Sequence, residues 1–179
     1  MDRLKIGIII GSTREGRVSP QVANWIKAFA DQRNDADYEI VDIKDYKLPL
    51  LGESEEMTGI EQWNAKLKTL DAFVFVVSEY NHSLAASLKN ALDLAREPWQ
   101  NKSAGIVSYG SVGGARAAEH LRGILGELQI ADVRAHVALS MFTDFENWSI
   151  FKPQSLHEEN LTLMLDQVNR WGTALKQIR

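Results

Sequence analysis

The sequence predicts an α/β fold in which a doubly wound, five-stranded parallel sheet carries helices on both faces. Two observations carry the prediction. Apolar runs and amphipathic stretches alternate five times along the 179 residues, with connections mostly too long for hairpins. The run Ala72-Phe73-Val74-Phe75-Val76-Val77 holds no charge, as expected of a strand buried on both faces of a parallel sheet. The length fits one compact domain over residues 1–179.

Leu4 to Ile10 reads as the first strand. Val22, Ala23, Ile26 and Phe29-Ala30 then recur at helical spacing, giving a helix that ends near Arg33-Asn34-Asp35. Tyr38 to Ile43 alternates as a strand. Lys47 to Gly59, with Pro49, Gly52 and the acidic trio Glu53, Glu55 and Glu56, reads as a surface loop. Ile60, Trp63, Leu67 and Leu70 mark a second helix before the strand at 72–77. Leu84, Leu88, Ala91, Leu92 and Ala95 form a third, stopped before Pro98. Ala104 to Ser108 is the fourth strand, Ala115 to Leu128 a helix, and Val133 to Leu139 the fifth strand. Leu156 to Ile178 is a long last helix, with Leu161, Leu165, Val168, Trp171 and Leu175 expected near one face.

A hydrophobic share of 45% and a charged share of 25% are ordinary for a globular chain, and a net charge of -4 argues against nucleic acid or an anionic membrane as partner. The absence of cysteine excludes disulfides, thiolate metal sites and thiol catalysis. No apolar run approaches the roughly 20 residues of a membrane span. Met1-Asp2-Arg3 leads into a strand pattern without the shape of a signal peptide, so the expectation is a cytoplasmic protein.

Ligands of doubly wound sheets sit outside the carboxyl ends of the strands. That rule selects the loops at 11–19, 78–83 and 108–114. In the first, Gly11-Ser12-Thr13-Arg14-Glu15-Gly16-Arg17-Val18-Ser19 leads into a helix at about Ser19-Pro20. Gly11 and Gly16 have P-loop spacing, but Arg17 and Val18 replace its Lys and Ser/Thr, and the dinucleotide fingerprint G-x-G-x-x-G also fails. A phosphate cup remains: hydroxyls of Ser12, Thr13 and Ser19, guanidinium from Arg14 or Arg17, and the side-chain amide of Gln21. The alternative is a helix capped by Ser19 with solvated arginines.

In the second loop, Glu79-Tyr80-Asn81-His82 offers an aromatic face and amide groups for a flat heteroaromatic ligand, or else forms a solvated turn. In the third, Ser108-Tyr109-Gly110-Ser111-Val112-Gly113-Gly114 lets a ligand approach the backbone, or else only packs strand against helix. Arg116 is expected to pair on its helix surface. His82, His120, His136 and His157 lack metal-ligand spacing, so no metal is expected.

Taken together, these loops resemble the NADPH-dependent FMN reductases, flavodoxin-like proteins that include quinone, azo-dye and chromate reductases. The resemblance spans about residues 4–140. It rests on Gly11-Ser12-Thr13-Arg14, Glu79-Tyr80-Asn81-His82-Ser83, Leu88-Lys89-Asn90-Ala91-Leu92-Asp93 and Gly113-Gly114-Ala115-Arg116, in that order. Ser78 and Ala85 stand where the family usually has proline.

The resemblance implies strand order 2-1-3-4-5 and bound FMN. The first loop would hold the phosphate through Ser12, Thr13, Arg14, Arg17 and Ser19, with Gln21 and Val22 alongside. Glu79, Tyr80, Asn81 and His82 would line the isoalloxazine edge, and Ser108, Tyr109, Gly110 and Gly113 would close the far side. NADPH or NADH would donate hydride to the flavin, and a small acceptor such as a quinone, azo compound, metal ion or free flavin would receive it. The resemblance assigns no acid, base or nucleophile. It also implies a homodimer or homotetramer, with Trp99, Trp148 and Phe151 as exposed aromatic contacts. A flavodoxin-type electron carrier and a non-redox FMN sensor are the other readings; the modest net charge speaks against a carrier. Ser140 to Ser155 is expected to border the acceptor pocket.

Overall fold

The computed structural model describes residues 3–53 and 57–179. Met1, Asp2 and two members of the acidic trio, Glu55 and Glu56, lie outside the described residues. The chain runs β1 (Lys5–Ile10), α1 (Ser19–Asp31), β2 (Asp37–Asp42), α2 (Thr58–Lys68), β3 (Ala72–Tyr80), β4 (Ser83–Leu84), α3 (Ala86–Asp93), β5 (Lys102–Gly110), α4 (Ala115–Glu127), β6 (Ile130–Ser140), β7 (Phe145–Glu146), β8 (Ile150–Phe151) and α5 (Leu156–Leu175). The five long strands lie parallel in the order β2-β1-β3-β5-β6, which is the expected 2-1-3-4-5. The two-residue β4 adds a sixth, antiparallel strand beside β3.

Alternation along the strands divides the core between the two faces of the sheet. Ile6, Ile8, Ile10, Val74 and Val76 face one apolar layer with Val22 and Ile26 of α1 and Leu161, Leu165 and Val168 of α5. Ile9, Phe73, Phe75 and Val77 face the other, with Trp63, Leu67, Leu88, Leu92, Leu121 and Leu125. Both faces of β3 are covered, which is why its apolar run needs no polar alternation.

Three expectations are corrected. Of the aromatics expected at the surface, Phe151 is half-buried against Trp25 and Phe145, and Trp99 is fully buried, not an exposed contact. Its ring meets Trp63 and Phe73 edge-on at 5.8 and 4.9 Å, and its indole Nε1–H donates to the Leu92 carbonyl at 3.2 Å, so the polar tip has a partner inside. Trp171 is 46% exposed; the inner stripe of α5 runs through Leu161, Met164, Leu165, Val168 and Gly172. A Cβ at Gly172 would lie 2.9 Å from Leu4 Cδ1 and 3.0 Å from Ser103 Oγ, so the glycine lets α5 lie close against the sheet. The surface loop expected to Gly59 ends sooner, because α2 already begins at Thr58.

Candidate functional site

β1, β3 and β5 end side by side, with Ile10 paired to Val76 and Ser78 to Tyr109. Their loops therefore converge at one edge of the sheet. The first is anchored at its root, where Gly11 N–H donates to the Val76 carbonyl at 3.1 Å and the Ser87 hydroxyl donates to the Gly11 carbonyl at 2.8 Å. Ser19 is not the helix cap. It is the first residue of α1, and the cap position falls to Val18, which has no capping side chain. The Ser19 hydroxyl turns inward and hydrogen-bonds the Ser12 hydroxyl, both nearly removed from solvent. No acidic residue stands in the first turn of α1, so the positive end of the helix dipole is left uncompensated.

The two arginines of this loop have different surroundings. Arg17 is not solvated: it makes a bidentate ion pair with Asp42 and also donates to the Ser12 carbonyl. Arg14 is exposed and reaches across to the second loop, where Nε donates to the Tyr80 hydroxyl at 2.8 Å. Thr13 faces a separate cavity of about 430 Å³, shared with Lys44, Ser87 and Asn90. Gln21 turns to the β7–β8 hairpin, donating to the Ser149 carbonyl at 2.8 Å and accepting from Phe151 N–H at 2.9 Å. Val22 is fully buried in the core.

What reads as the second loop is largely strand. β3 continues to Tyr80, and Asn81 and His82 form a tight turn into β4 with φ of 46° and 66°. Both turn residues are exposed. Glu79 is buried along its side chain and ion-paired to Arg116, whose backbone N–H also donates to it at 3.2 Å. Arg116 is thus paired, with β3 rather than with its own helix.

In the third loop, Ser108 is buried beneath the surface. Its hydroxyl donates to the Gly113 carbonyl at 2.5 Å and lies 2.7 Å from His136 Nε2. That single hydroxyl hydrogen is committed to the carbonyl, so His136 Nε2 carries the proton of the second bond. Burial lowers the His136 pKa to about 4. Gly113 and Gly114 both have positive φ, 71° and 70°. A Cβ on Gly113 would lie 2.9 Å from Ala138 Cβ, and one on Gly114 2.8 Å from the Tyr109 nitrogen, so these glycines serve close packing of loop on strand. At Gly110 a Cβ would meet Glu79 Cβ at 3.0 Å.

Arg14, Ser78, Glu79, Tyr80, Tyr109 and Gly110 all border one cavity of about 300 Å³. Val18, Ser111, Met141 and Trp148 complete its wall. Sequence reasoning singled out neither Val18 nor Met141, although 140–155 was expected to border a pocket. Tyr109 is almost fully buried, and burial pushes its phenol pKa up, against a smaller downward pull from the hydroxyls of Ser19, Ser12 and Ser78. Ser78 Oγ is buried without a hydrogen-bond partner among the described residues. An uncompensated helix N-terminus, an exposed arginine and a hydroxyl lacking a partner suit a ligand with an anionic group and further acceptors. Among the described residues no three His or carboxylate side chains gather as metal ligands, and no helix is long and apolar enough to cross a membrane.

A family model described as NADPH-dependent FMN reductase matches residues 4–144. The NAD(P)H-dependent FMN reductase C4B3.06c of Schizosaccharomyces pombe is 35% identical over 149 residues, covering 78% of this chain and 74% of that protein. A 2-hydroxy-1,4-benzoquinone reductase from a Burkholderia species is 34% identical over 137 residues, covering 71% and 73%. Among solved structures, the flavoenzyme NAD(P)H:(acceptor) oxidoreductase FerB of Paracoccus denitrificans superposes with a TM-score of 0.75 at 16% identity, covering 96% of this chain and 98% of that one. At that identity the likeness speaks to the fold.

Proposed function

The chain belongs to the NADPH-dependent FMN reductase family, and from that premise we propose how its three loops serve the activity. The protein is an FMN-dependent NAD(P)H oxidoreductase that takes hydride from a nicotinamide nucleotide and passes electrons to a quinone-type acceptor. The observation that carries the site assignment is the uncapped, acid-free start of α1 beside Arg14 and the partnerless Ser78 hydroxyl. These are complementary to a phosphate attached to a polar chain.

In this reading Arg14 and the backbone of residues 12–19, the Thr13 N–H among them, hold the FMN phosphate, while the Ser12–Ser19 pair sets the loop's course and the Thr13 side chain stays at its own cavity. Arg17 gives its charge to Asp42 and shapes the loop from behind. Gln21 and Val22 act at one remove, the first by holding the hairpin and the second by seating α1 on the sheet. Tyr80, with the backbone of Asn81 and His82, lines the isoalloxazine edge; Tyr109 and Gly110 close the far side. Ser108 and Gly113 support that wall from below.

When bound, FMN supplies the hydride and electron chemistry, and a proton from water completes reduction of a quinone. The chain's own contribution is placement, burial and electrostatics. Glu79 is neutralised by Arg116, so it is assigned structural work and not that of a base. We assign no catalytic acid, base or nucleophile.

The proposal extends to a single FMN-binding domain over residues 1–179, a cytoplasmic location, and a homodimer or homotetramer with α3 near the subunit boundary. Trp99 takes no part in that contact. Titration with FMN tests the reading: the protein turns yellow, retains flavin through gel filtration, and oxidises NAD(P)H when a quinone is added. Protein that stays colourless with FMN at tens of micromolar contradicts it. Flavin binding without turnover identifies a carrier or sensor instead.

A further inference from the structure

The hairpin of β7 and β8 is held more firmly than a surface excursion needs. Gln21 uses both atoms of its amide on the hairpin backbone. Asp144, 1% exposed, pins the segment just before it: its carboxylate accepts from Ser140 N–H at 2.8 Å, Gln154 N–H at 3.2 Å and His157 Nε2 at 2.9 Å. At the tip, Asn147 and Trp148 have φ of 50° and 60°, and Ser149 N–H closes the turn on the Glu146 carbonyl at 3.1 Å. That left-handed backbone favours glycine, and a bulky residue is a rare occupant of it. Strain of this kind persists where the surroundings enforce it and often marks a functional position.

The enforced geometry places an indole that is 59% exposed in the wall of the cavity between the three loops. Phe142, itself 64% exposed, meets Trp148 edge-on at 5.0 Å and supports it from one side. We infer that Trp148 is the stacking platform for the electron acceptor, and that it selects planar, uncharged rings of the quinone class over compact anions. The inference rests on the oxidoreductase reading above and goes beyond it by naming the residue that seats the acceptor and discriminates between acceptors.

Charge around the cavity agrees. Arg14 is the cation in its wall, and it is both bonded to Tyr80 and assigned to the phosphate. Glu79 is cancelled by Arg116. Nothing left over collects a small oxyanion, whereas the indole and the Met141 side chain offer a flat ring an apolar seat.

The test uses FMN-loaded protein, NADH, and two acceptors: a soluble benzoquinone and ferricyanide, which cannot stack. Trp148→Ala is expected to lower kcat/KM for benzoquinone about tenfold relative to ferricyanide, mostly through KM, the scale of one lost aromatic stack. Trp148→Phe is expected to recover most of that ratio. An unchanged ratio in Trp148→Ala overturns the platform. So does an equal loss with both acceptors accompanied by a shift in gel-filtration volume, which would make Trp148 a subunit contact. Failure of the underlying reading looks different: the wild-type protein then retains no FMN or oxidises NADH with neither acceptor, and the platform falls with it.

Discussion

Arg17 grips the carboxylate of Asp42 with two hydrogen bonds, 2.7 Å from Nη1 and 2.5 Å from Nη2, and both side chains are largely shielded from water. The pair joins the loop between β1 and α1 to the end of β2, since Asp42 stands opposite Ile10 in the parallel register. It divides the work of two arginines three residues apart in sequence. Arg17 braces the loop, and Arg14 faces outward. Arg17→Ala should lower stability by about 2 kcal/mol in urea denaturation, because the largely shielded Asp42 carboxylate loses its countercharge and keeps only the Lys44 N–H. Arg17→Lys should recover little of this, since a lysine lacks the fork for two parallel bonds. Full stability with loss of FMN would mean that Arg17 itself holds the phosphate.

Arg14→Ala should have the opposite profile. Its structural bonds are two exposed contacts, to the Tyr80 hydroxyl and to the neighbouring Glu15 carbonyl, so the melting temperature should move by no more than about 2 °C. The dissociation constant for FMN, read by quenching of flavin fluorescence, should rise about tenfold or more, as expected for a charge-assisted bond to phosphate. Unchanged affinity would leave the loop as a mere helix start.

His136 makes stability depend on pH. Its pKa is about 4 in the folded protein against 6.5 unfolded, so the unfolded chain takes up the proton first as pH falls. The neutral ring's contribution is fully present above pH 6.5 and is lost progressively towards pH 4. The loss is up to about 3 kcal/mol. His136→Gln should flatten the slope of denaturation free energy between those limits while keeping a donor for Ser108. An equal slope in the variant would place the titration elsewhere.

Gly114→Ala should destabilise by about 2–4 kcal/mol, because it combines a left-handed backbone with a Cβ lying 2.8 Å from the Tyr109 nitrogen. Gly126→Ala, in α4 with open space around its Cβ, should be neutral or stabilising by about 0.5–1 kcal/mol. Thermal denaturation of the two variants separates packing at the third loop from glycine content as such.

The sheet was legible because β1 and β3 are buried on both faces and their apolar runs say so directly. The three loops were legible because the carboxyl ends of such strands attract ligands and their compositions were unusual. What could not be read was who pairs with whom. Asp42 sits at the end of a different strand, 25 residues from Arg17, and only the parallel register brings them together. Gln21 reaches Ser149, a separation of 128 residues, so its amide looked free for a ligand. Trp99 looked exposed because it follows Pro98 in a polar stretch, yet its N–H finds the open end of α3. At Asn81-His82 the sequence offered a solvated turn as one of two readings, but not that the turn closes a hairpin between β3 and β4, because neither residue is glycine, though asparagine tolerates positive φ better than most.

Whether this protein is an oxidoreductase is decided by anaerobic stopped-flow mixing of the FMN-loaded protein with NADPH or NADH. The visible flavin band is expected to bleach within the mixing experiment by direct hydride transfer and to return when a quinone is added. A flavin band that persists under excess NADPH and NADH, in protein that has bound FMN, would contradict the oxidoreductase reading.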